Sequence, residues 1–332
     1  MKKLIFSMIV ALMATVAARA QQIAVVSDGT TTLYHTLQEA IEGAPAGSVI
    51  YLPGGGFPIS DDVKITKKLT IIGIGHYAKS GNVDGVTTIS GNLFFNEGSD
   101  DSAVMGCYIT GEIQIAEGDK PVNGLLIRYC NLETVRMMNN TCKKTTVNQS
   151  FIRNRLLFYG AEGFITNSII GSIWDINGGV LSHNIFFSTG YHSYKYHVIM
   201  ANNLTICYNV IINPGNWDIS GHNNAVCVYQ CGNVQILRNM IKGEGDYTED
   251  PINIGESNWD EVFVNYQGCT PSSDFHFKGD YEKYNGEYGI YGGTGFNDKG
   301  IAPVPYVVAK DVKEQTDASG MLYVKIRVNA GE

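Results

Sequence analysis

The sequence lacks a second long apolar segment. After residues 4–18, no stretch approaches the about 20 apolar residues that a membrane-spanning helix needs. Lys2 and Lys3 precede this first run, and Ala18-Arg19-Ala20 has small residues at the two positions where signal peptidase requires them. We therefore predict a signal peptide over residues 1–20. The mature protein is expected to be exported (periplasmic, on the cell surface or secreted) without a membrane span.

Basic residues are scarce in the mature chain. Removing Lys2, Lys3 and Arg19 lowers the 24 Lys and Arg residues to 21, against 32 Asp and Glu, for a net charge of about −11. The average field of such a protein repels polyanions, and this argues against a nucleic-acid partner.

The cysteine spacing lacks any zinc-binding pattern. The seven cysteines all follow residue 20, and their odd number leaves at least one thiol unpaired. We interpret most of them as small apolar residues of the interior. Free thiols are unusual in an oxidising compartment, a conflict that an anaerobic source would remove.

One short motif recurs seven times, first at residues 104–109 and last at residues 236–241. It consists of an aliphatic residue, two variable residues, a small or amide residue, and two apolar residues. The fourth position carries Cys107, Cys130, Ser150, Ser168, Asn184, Asn209 and Asn239, on average 22 residues apart. This spacing is typical of one coil of short strands whose turns vary in length. We predict an all-β fold, a right-handed parallel β-helix.

The fourth positions are predicted to form a structural ladder along the coils. Stacking would place equivalent residues about 4.8 Å apart, so that amides bond to amides along the column. Asn also suits the left-handed bend between two strands, and the sequence does not separate these two roles. A second strand follows several motifs, with a bend expected near Gly111, Glu133, Asn154 or Gly171.

Both ends of the predicted stack need covers, because a solenoid exposes apolar ends. Leu33, Leu37, Ala40 and Ile41 share one face of a helical pattern, which predicts an N-terminal capping helix. Strands are predicted at 49–52, 63–65 and 69–72. After two prolines the pattern alternates, and we predict a β-hairpin over residues 303–332, packed on the last coil or forming a tail. The β-helix domain would then span residues 21–302.

The segment LQEAIEGAPAGSVIYLPGGGFPISDDVKITKKLTIIGIG, residues 37–75, resembles the opening of the pectate-lyase-like right-handed parallel β-helix superfamily. Residues 262–296 resemble the closing coils of secreted β-helix proteins common in Bacteroidetes. The resemblance implies a β-helix from residue 33 to about residue 300. The hydrolase motifs of such families are not reproduced here: Gly221-His222-Asn223 matches only part of Gly-His-Gly, and Asp100-Asp101 lies too early in the stack.

Two insertions, residues 190–197 and 213–224, are predicted to lie in adjacent coils and to form a carbohydrate-binding surface. Their aromatic rings could stack on sugars, and their polar side chains could fix the orientation of the ligand. The candidate residues are Tyr191, His192, Tyr194, Lys195, His197, Trp217, Asp218 and His222.

The sequence favours an exported β-helix that binds polysaccharide or has a structural role at the surface. The alternative is a polysaccharide lyase or a glycoside hydrolase that acts on an acidic polysaccharide through an unfamiliar site, and of the two the lyase is favoured. Lys195 or a histidine would then act as the base, and Arg153 or Arg155 would neutralise the substrate carboxylate. No catalytic residue is assigned, and the oligomeric state stays open.

No motif calls for a cofactor. A third insertion is acidic and could bind Ca²⁺, although a solvated loop is the simpler interpretation. Its acids are Asp246, Glu249, Asp250, Asp260 and Glu261.

Overall fold

The computed structural model describes residues 22–77, 85–187, 198–212, 228–229, 232–242, 251–255, 257–270, 272–298, 300–302, 305–312, 319, 321 and 323–329. Two long sheets of stacked parallel strands form the body of the molecule, which confirms the predicted parallel β-helix. Its right-handedness stays a prediction from the general rule for parallel crossovers. In these ranges, no helix has both the length and the apolar character needed to cross a bilayer.

The first sheet, sheet A, has 11 strands. An antiparallel hairpin comes first and pairs antiparallel with the third strand, and from there onward the strands are parallel. In spatial order the strands are Thr30–Tyr34, Ile23–Ser27, Val49–Leu52, Thr70–Gly73, Ala103–Met105, Leu126–Arg128, Thr145–Asn148, Gly163–Thr166, Asn177–Ser182, Asn202–Cys207 and Gly232–Leu237.

The second sheet, sheet B, has 15 strands, all parallel. In chain order they are Gly55–Pro58, Lys64–Ile65, Thr87–Ser90, Leu93–Phe95, Tyr108–Ile109, Glu112–Ile115, Asn131–Met137, Phe151–Leu157, Ile169–Trp174, Ile185–Phe187, Val198–Ile199, Val210–Ile212, Val228–Tyr229, Met240–Ile241 and Ile252–Asn253.

A column of aliphatic side chains fills the interior beneath sheet A. The first residue of every motif pairs in register with the first residue of the next, and none of these residues is more than 8% exposed. The column consists of Val104, Ile127, Val147, Ile165, Leu181, Ile206 and Ile236. Ile50 and Ile71 continue it towards the N-terminus. The seven motifs are therefore successive coils of one solenoid, as predicted.

The motif crosses a corner between the two sheets and is not a single strand. Its first residues belong to sheet A and its last two to sheet B. The residue before each ladder position has a positive φ, between 47° and 66°. These residues are Gly106, Tyr129, Gln149, Asn167, His183, Tyr208 and Arg238. The left-handed conformation thus belongs to the preceding residue, and the ladder asparagines are left to form hydrogen bonds.

The seven ladder residues are buried at this corner, and hydrogen bonds connect their coils. From Cys130 to Asn209, the backbone N–H of each ladder residue donates to the side-chain oxygen of the next, at 2.9 to 3.2 Å. The amides of Asn184 and Asn209 also donate to the next Asn Oδ1, at 3.0 and 2.9 Å. The side chains therefore satisfy backbone donors where the chain turns from one sheet into the other.

The two cysteines at the start of the ladder act as small interior groups. The Sγ of Cys107 lies 3.3 Å from the carbonyl of Met105, and that of Cys130 lies 3.3 Å from the carbonyl of Arg128. Burial raises the pKa of Cys130 to about 12, so its thiol stays protonated and unreactive.

The N-terminal cap is the helix Leu37–Gly43, which buries Leu37, Ala40 and Ile41. The Thr36 hydroxyl accepts from the Glu39 N–H at 3.1 Å, and the Glu39 carboxylate accepts from the Thr36 N–H at 3.2 Å. The prediction for Leu33 is wrong. This residue lies in the strand Thr30–Tyr34 and is 53% exposed, because the turn at Asp28 and Gly29 makes a hairpin before the helix.

The four positions where bends are expected differ from one another in the structure. At Glu133 and Asn154 the register shifts by a β-bulge, and each strand continues within sheet B. Near Gly111 the strand is interrupted between Ile109 and Glu112, and the strand Ile169–Trp174 runs through Gly171. Asn131, which looks like a polar intrusion in its motif, pairs in register with Phe151 on the outer face of the sheet.

Residues 262–296 are not closing coils, contrary to the resemblance. Phe263–Asn265 and Asp274–Phe277 pair as an antiparallel hairpin, accompanied by a short α-helix, Trp259–Val262, and the 3₁₀ helices Gly279–Tyr284 and Gly289–Tyr291. This segment covers an apolar column on the outer face of sheet B. The covered residues are Phe151, Ile169, Ile185, Val210 and Met240. An apolar outer face needs such a cover. The apolar column runs through the later coils, and the segment therefore packs there.

A strap, residues 289–298 and 300–302, then runs back along the ladder corner. Its hydrogen bonds reach residues in progressively earlier coils, namely Tyr208, Asn167, Gln149 and His76. A Cβ at Gly106 would lie 2.6 Å from the Cβ of Ala302, so the last contact of the strap requires glycine. The strap therefore ties late coils to early ones.

A third antiparallel hairpin pairs Tyr306–Val312 with Val324–Asn329, within the predicted residues 303–332. Val324, Ile326 and Val328 on its second strand are 49 to 57% exposed.

Breaking the ladder at one asparagine should destabilise the fold strongly. Asn209→Ala leaves the N–H and the amide of Asn184 without their acceptor, and we expect the free energy of unfolding to fall by about 3 kcal/mol. Asn177→Ala is the matched control, because the Asn177–Asn203 amide bond is exposed, and its cost should stay below about 1 kcal/mol. Urea denaturation followed by circular dichroism measures both, and equal costs would contradict a structural role for the ladder.

Acid should weaken the fold through His76. This residue is 7% exposed, neither ring nitrogen has a hydrogen-bond partner in the described chain, and burial lowers its pKa to about 4. Below about pH 6.5 the unfolded chain binds a proton that the folded chain excludes until about pH 4, so up to about 3 kcal/mol of stability is lost over that interval.

The measurement is urea unfolding at a series of pH values from about 7 to about 4.5. His76→Leu should remove this part of the pH dependence, and His35→Asn, which changes an exposed histidine, should retain it. A wild-type pH profile in the His76 variant would show that this site does not contribute.

Candidate functional site

The eight candidate carbohydrate-binding residues lie outside the described residues. Residues 188–197 include the first five, and residues 213–227 include the other three. These candidates, Tyr191, His192, Tyr194, Lys195, His197, Trp217, Asp218 and His222, stay predictions. What the structure does describe is the strands from which both insertions leave.

Both insertions leave sheet B at the same position in adjacent coils. The flanking strands are Ile185–Phe187 and Val198–Ile199 for the first insertion, and Val210–Ile212 and Val228–Tyr229 for the second. Phe187 pairs with Ile212 before the insertions, and Val198 pairs with Val228 after them. The ends of the two insertions are therefore neighbours, in agreement with the predicted adjacency.

A column of residues on the outer side of sheet B, the root column, leads to these insertions. Thr134, Arg155 and Ser172 stack in register, one to a coil. In the next coil the strand is interrupted between Phe187 and Val198, where the first insertion leaves. At about 4.8 Å per coil, Arg155 lies on the order of 10 Å from that point.

Arg155 differs from Arg136 and Arg153 because its charge has no partner within the described part of the chain. The side chain is partly buried, its Nε is inaccessible to solvent, and no hydrogen bond or ion pair of its guanidinium occurs among the described residues. A partly buried guanidinium with no counter-ion among the described residues keeps its charge and its two terminal nitrogens for a ligand.

Two nearby arginines are engaged within the protein. Arg136 donates to both carboxylate oxygens of Glu112, at 3.0 and 3.1 Å, and to the Tyr159 hydroxyl at 3.2 Å. The hydrogen bond to Glu112 is the main cause of the raised pKa of Arg136. Arg153 donates to Asn131 Oδ1 at 2.5 Å and packs over the ring of Tyr108. Sequence alone treats Arg153 and Arg155 as equivalent, whereas the structure separates them.

An aromatic residue lies beside the root column. Trp174 is partly buried and pairs in register with Leu157 on one side and Ile199 on the other. It is two residues beyond Ser172 on the same strand, so both residues face outward. An indole next to a guanidinium suits a ligand that has both a sugar ring and a carboxylate.

No metal centre is present among the described residues, which contain no group of three His, Cys, Asp or Glu side chains that could hold an ion. Of the acids considered for Ca²⁺, Asp246, Glu249 and Asp250 lie outside the described ranges. Glu261 caps the helix Trp259–Val262 by accepting from the Asn258 N–H at 2.9 Å, and Asp260 is exposed beside it. Asp100 accepts from Asn123 and belongs to a corner of the coil.

No protein-family model, curated protein or solved structure matched this chain. The resemblance to the pectate-lyase-like superfamily therefore stays a prediction.

Proposed function

We propose that the chain is an exported β-helix protein that binds a carboxylate-bearing polysaccharide on the outer face of sheet B. The observation that supports this function best is the guanidinium of Arg155, which has no partner among the described residues and is in line with the roots of the two aromatic insertions. The guanidinium would bind a uronic acid carboxylate, and Trp174 together with the insertions would contact the sugar rings.

The chemistry of Arg155 selects an anionic ligand. A guanidinium presents a planar fork of donors that matches a carboxylate, and the resulting charge-assisted bonds are stronger than neutral ones. A ligand carboxylate would also supply the missing counter-ion. The net negative charge of the protein repels an acidic polysaccharide at long range, as it would any polyanion. Charges are screened over about 8 Å at physiological ionic strength, so the proposed contact depends on the local charge of Arg155.

The shape of the surface suits an extended ligand. The root column and the strand ends that flank the two insertions follow one line along the solenoid axis. Successive sugars of a polysaccharide could therefore contact successive coils.

The second candidate is a polysaccharide lyase at the same place. Arg155 favours it as well, because a lyase must neutralise the carboxylate beside the proton that its base removes. The base in this case would be Lys195 or one of the histidines of the insertions.

Replacing Arg155 should weaken the binding of acidic glycans. We expect Arg155→Gln to reduce affinity for polygalacturonate roughly tenfold, because one charge-assisted contact is lost. Arg128→Gln is the matched control, since Arg128 is also partly buried but lies on the outer face of sheet A, over the Tyr129 ring. Affinity electrophoresis in gels containing polygalacturonate, alginate or neutral dextran measures the difference.

The proposal fails if the wild-type protein migrates equally in all three gels, or if the two arginine variants lose affinity equally. Ultraviolet absorbance recorded on the same mixtures distinguishes the second candidate, because an unsaturated uronate product absorbs and a merely bound polymer does not.

A further inference from the structure

Sheet A has an open edge at the N-terminal end of the solenoid. Its first strand in spatial order, Thr30–Tyr34, pairs with Ile23–Ser27 and with no other strand of the described chain. The first four residues of this edge strand are exposed. Proteins commonly block such an edge with charged residues, proline or a β-bulge, because its backbone groups can pair with another chain. The sequence here, Thr-Thr-Thr-Leu-Tyr, has neither charge nor proline, and its register with the neighbouring strand is regular throughout.

The turn of this hairpin determines which backbone groups are open. Only Asp28 and Gly29 connect the two strands, and both have a positive φ, as in a type I′ turn. The closing pair of such a turn is hydrogen-bonded, and hydrogen-bonded and non-hydrogen-bonded pairs alternate along an antiparallel ladder. The N–H and C=O groups of Thr31 and Leu33 therefore face the open edge, and those of the alternate residues face the hairpin partner.

An apolar row on the outer face of sheet A ends at this edge. Leu33, Ala24 and Tyr51 pair in register across three strands. They lie on the face opposite to the buried residues Ile23 and Val25, since side chains alternate along a strand. Leu33 is 53% exposed and Tyr51 is 40% exposed. Single exposed apolar side chains are normal, whereas a contiguous group of them often marks an interaction surface.

We propose that this edge binds the same edge of a second copy of the chain, in an antiparallel pair with Thr32 on the two-fold axis. In that register Thr31 of one copy lies opposite Leu33 of the other, and the two residues exchange both N–H···O bonds. The two-fold axis repeats this pair, because such an interface uses the same surface of both copies. Sheet A then continues from one molecule into the next, independently of glycan binding at Arg155.

The composition of the edge favours a second copy as its occupant. Because Thr30–Tyr34 has no charged residue, the antiparallel pair brings no like charges together within the strands. On the outer face, Leu33 of each copy lies beside Thr31 of the other, and the two apolar rows approach each other across the axis. Every open donor of the pair meets an acceptor, and the exposed part of the row is covered.

The C-terminal hairpin of the same molecule cannot occupy this edge. Ala302 packs at Gly106, directly after the strand Ala103–Met105, and that strand is four strand spacings from the edge strand. A strand added to the edge would therefore lie about 24 Å from Ala103–Met105 along the solenoid axis. The four residues from Ala302 to Tyr306, where the hairpin begins, span at most about 14 Å.

Sedimentation equilibrium of the chain without its predicted signal peptide, residues 21–332, tests the association. The edge is short and stable interfaces bury at least about 1,000 Å², so we expect a weak monomer–dimer equilibrium with a Kd on the order of 10 μM. Leu33→Lys places a charge from each copy on the same face of the joined sheet, and it should weaken association at least about tenfold. Met138→Lys is the matched control, because Met138 is 46% exposed elsewhere on the solenoid, and it should associate like the wild type.

Introduced cysteines test the register. Thr32 lies opposite its own symmetry mate in a non-hydrogen-bonded pair, with Cα atoms about 4.5 Å apart, within the range of a disulfide. Thr32→Cys should therefore give a covalent dimer under mild oxidation on a non-reducing gel, above the background of the wild-type chain. Thr30→Cys is the matched control, since Thr30 lies opposite Tyr34 and about 14 Å from its own mate. Both positions are exposed, so both variants are expected to fold.

Three results would overturn the proposal. The first is a wild-type chain that stays monomeric at about 100 μM, ten times the expected Kd. The second is an association that Leu33→Lys and Met138→Lys weaken equally, which would place the interface elsewhere. The third is a covalent dimer that forms as readily with Thr30→Cys as with Thr32→Cys, because the antiparallel register allows only the latter.

Discussion

The rest of the structure depends on hydrogen bonds between stacked side chains at one corner of the coil. At the ladder, the chain leaves sheet A through a left-handed residue and enters sheet B, and the backbone donors there are satisfied by the side chain one coil further on. Each asparagine fixes the position of the neighbouring coil along the solenoid axis. The aliphatic column beneath sheet A and the outward columns of sheet B follow from that register.

Much of this arrangement is readable from the sequence, because the ladder constrains residue type. The spacing from Cys107 to Asn239 predicts the stack, and every first motif position pairs as expected. Three features were not predictable in the same way. The turn at Asp28 and Gly29 places Leu33 in a strand. The left-handed conformation occurs at residues as different as Tyr129 and Arg238. The hairpin of residues 263–277 has an alternating pattern that the strands of a coil would also show.

The candidate site was predictable only in part, for a different reason. The insertions stand out by length and composition, and their adjacency follows from the repeat. The distinction between Arg153 and Arg155 does not, because both follow the same motif and differ only in what lies next to them. The side chain of Arg153 contacts Asn131 and Tyr108 in the preceding coils. Arg155 follows a bulge and is in backbone register with Thr134 and Ser172, but its side chain forms a hydrogen bond with neither of them.

The ladder corner and the bulge position inside sheet B differ in how much insertion they tolerate. The ladder corner has the same backbone geometry in all seven motifs, because a left-handed residue precedes each ladder position. It is therefore a regular track along which the strap packs, from Tyr208 to His76. The bulge position inside sheet B carries no such ladder, so insertions there leave the stack intact. The strap and hairpin cover the apolar column next to the ladder and leave the root column outside their main contacts. A binding surface in this fold is therefore expected at the bulge, where Arg155 lies.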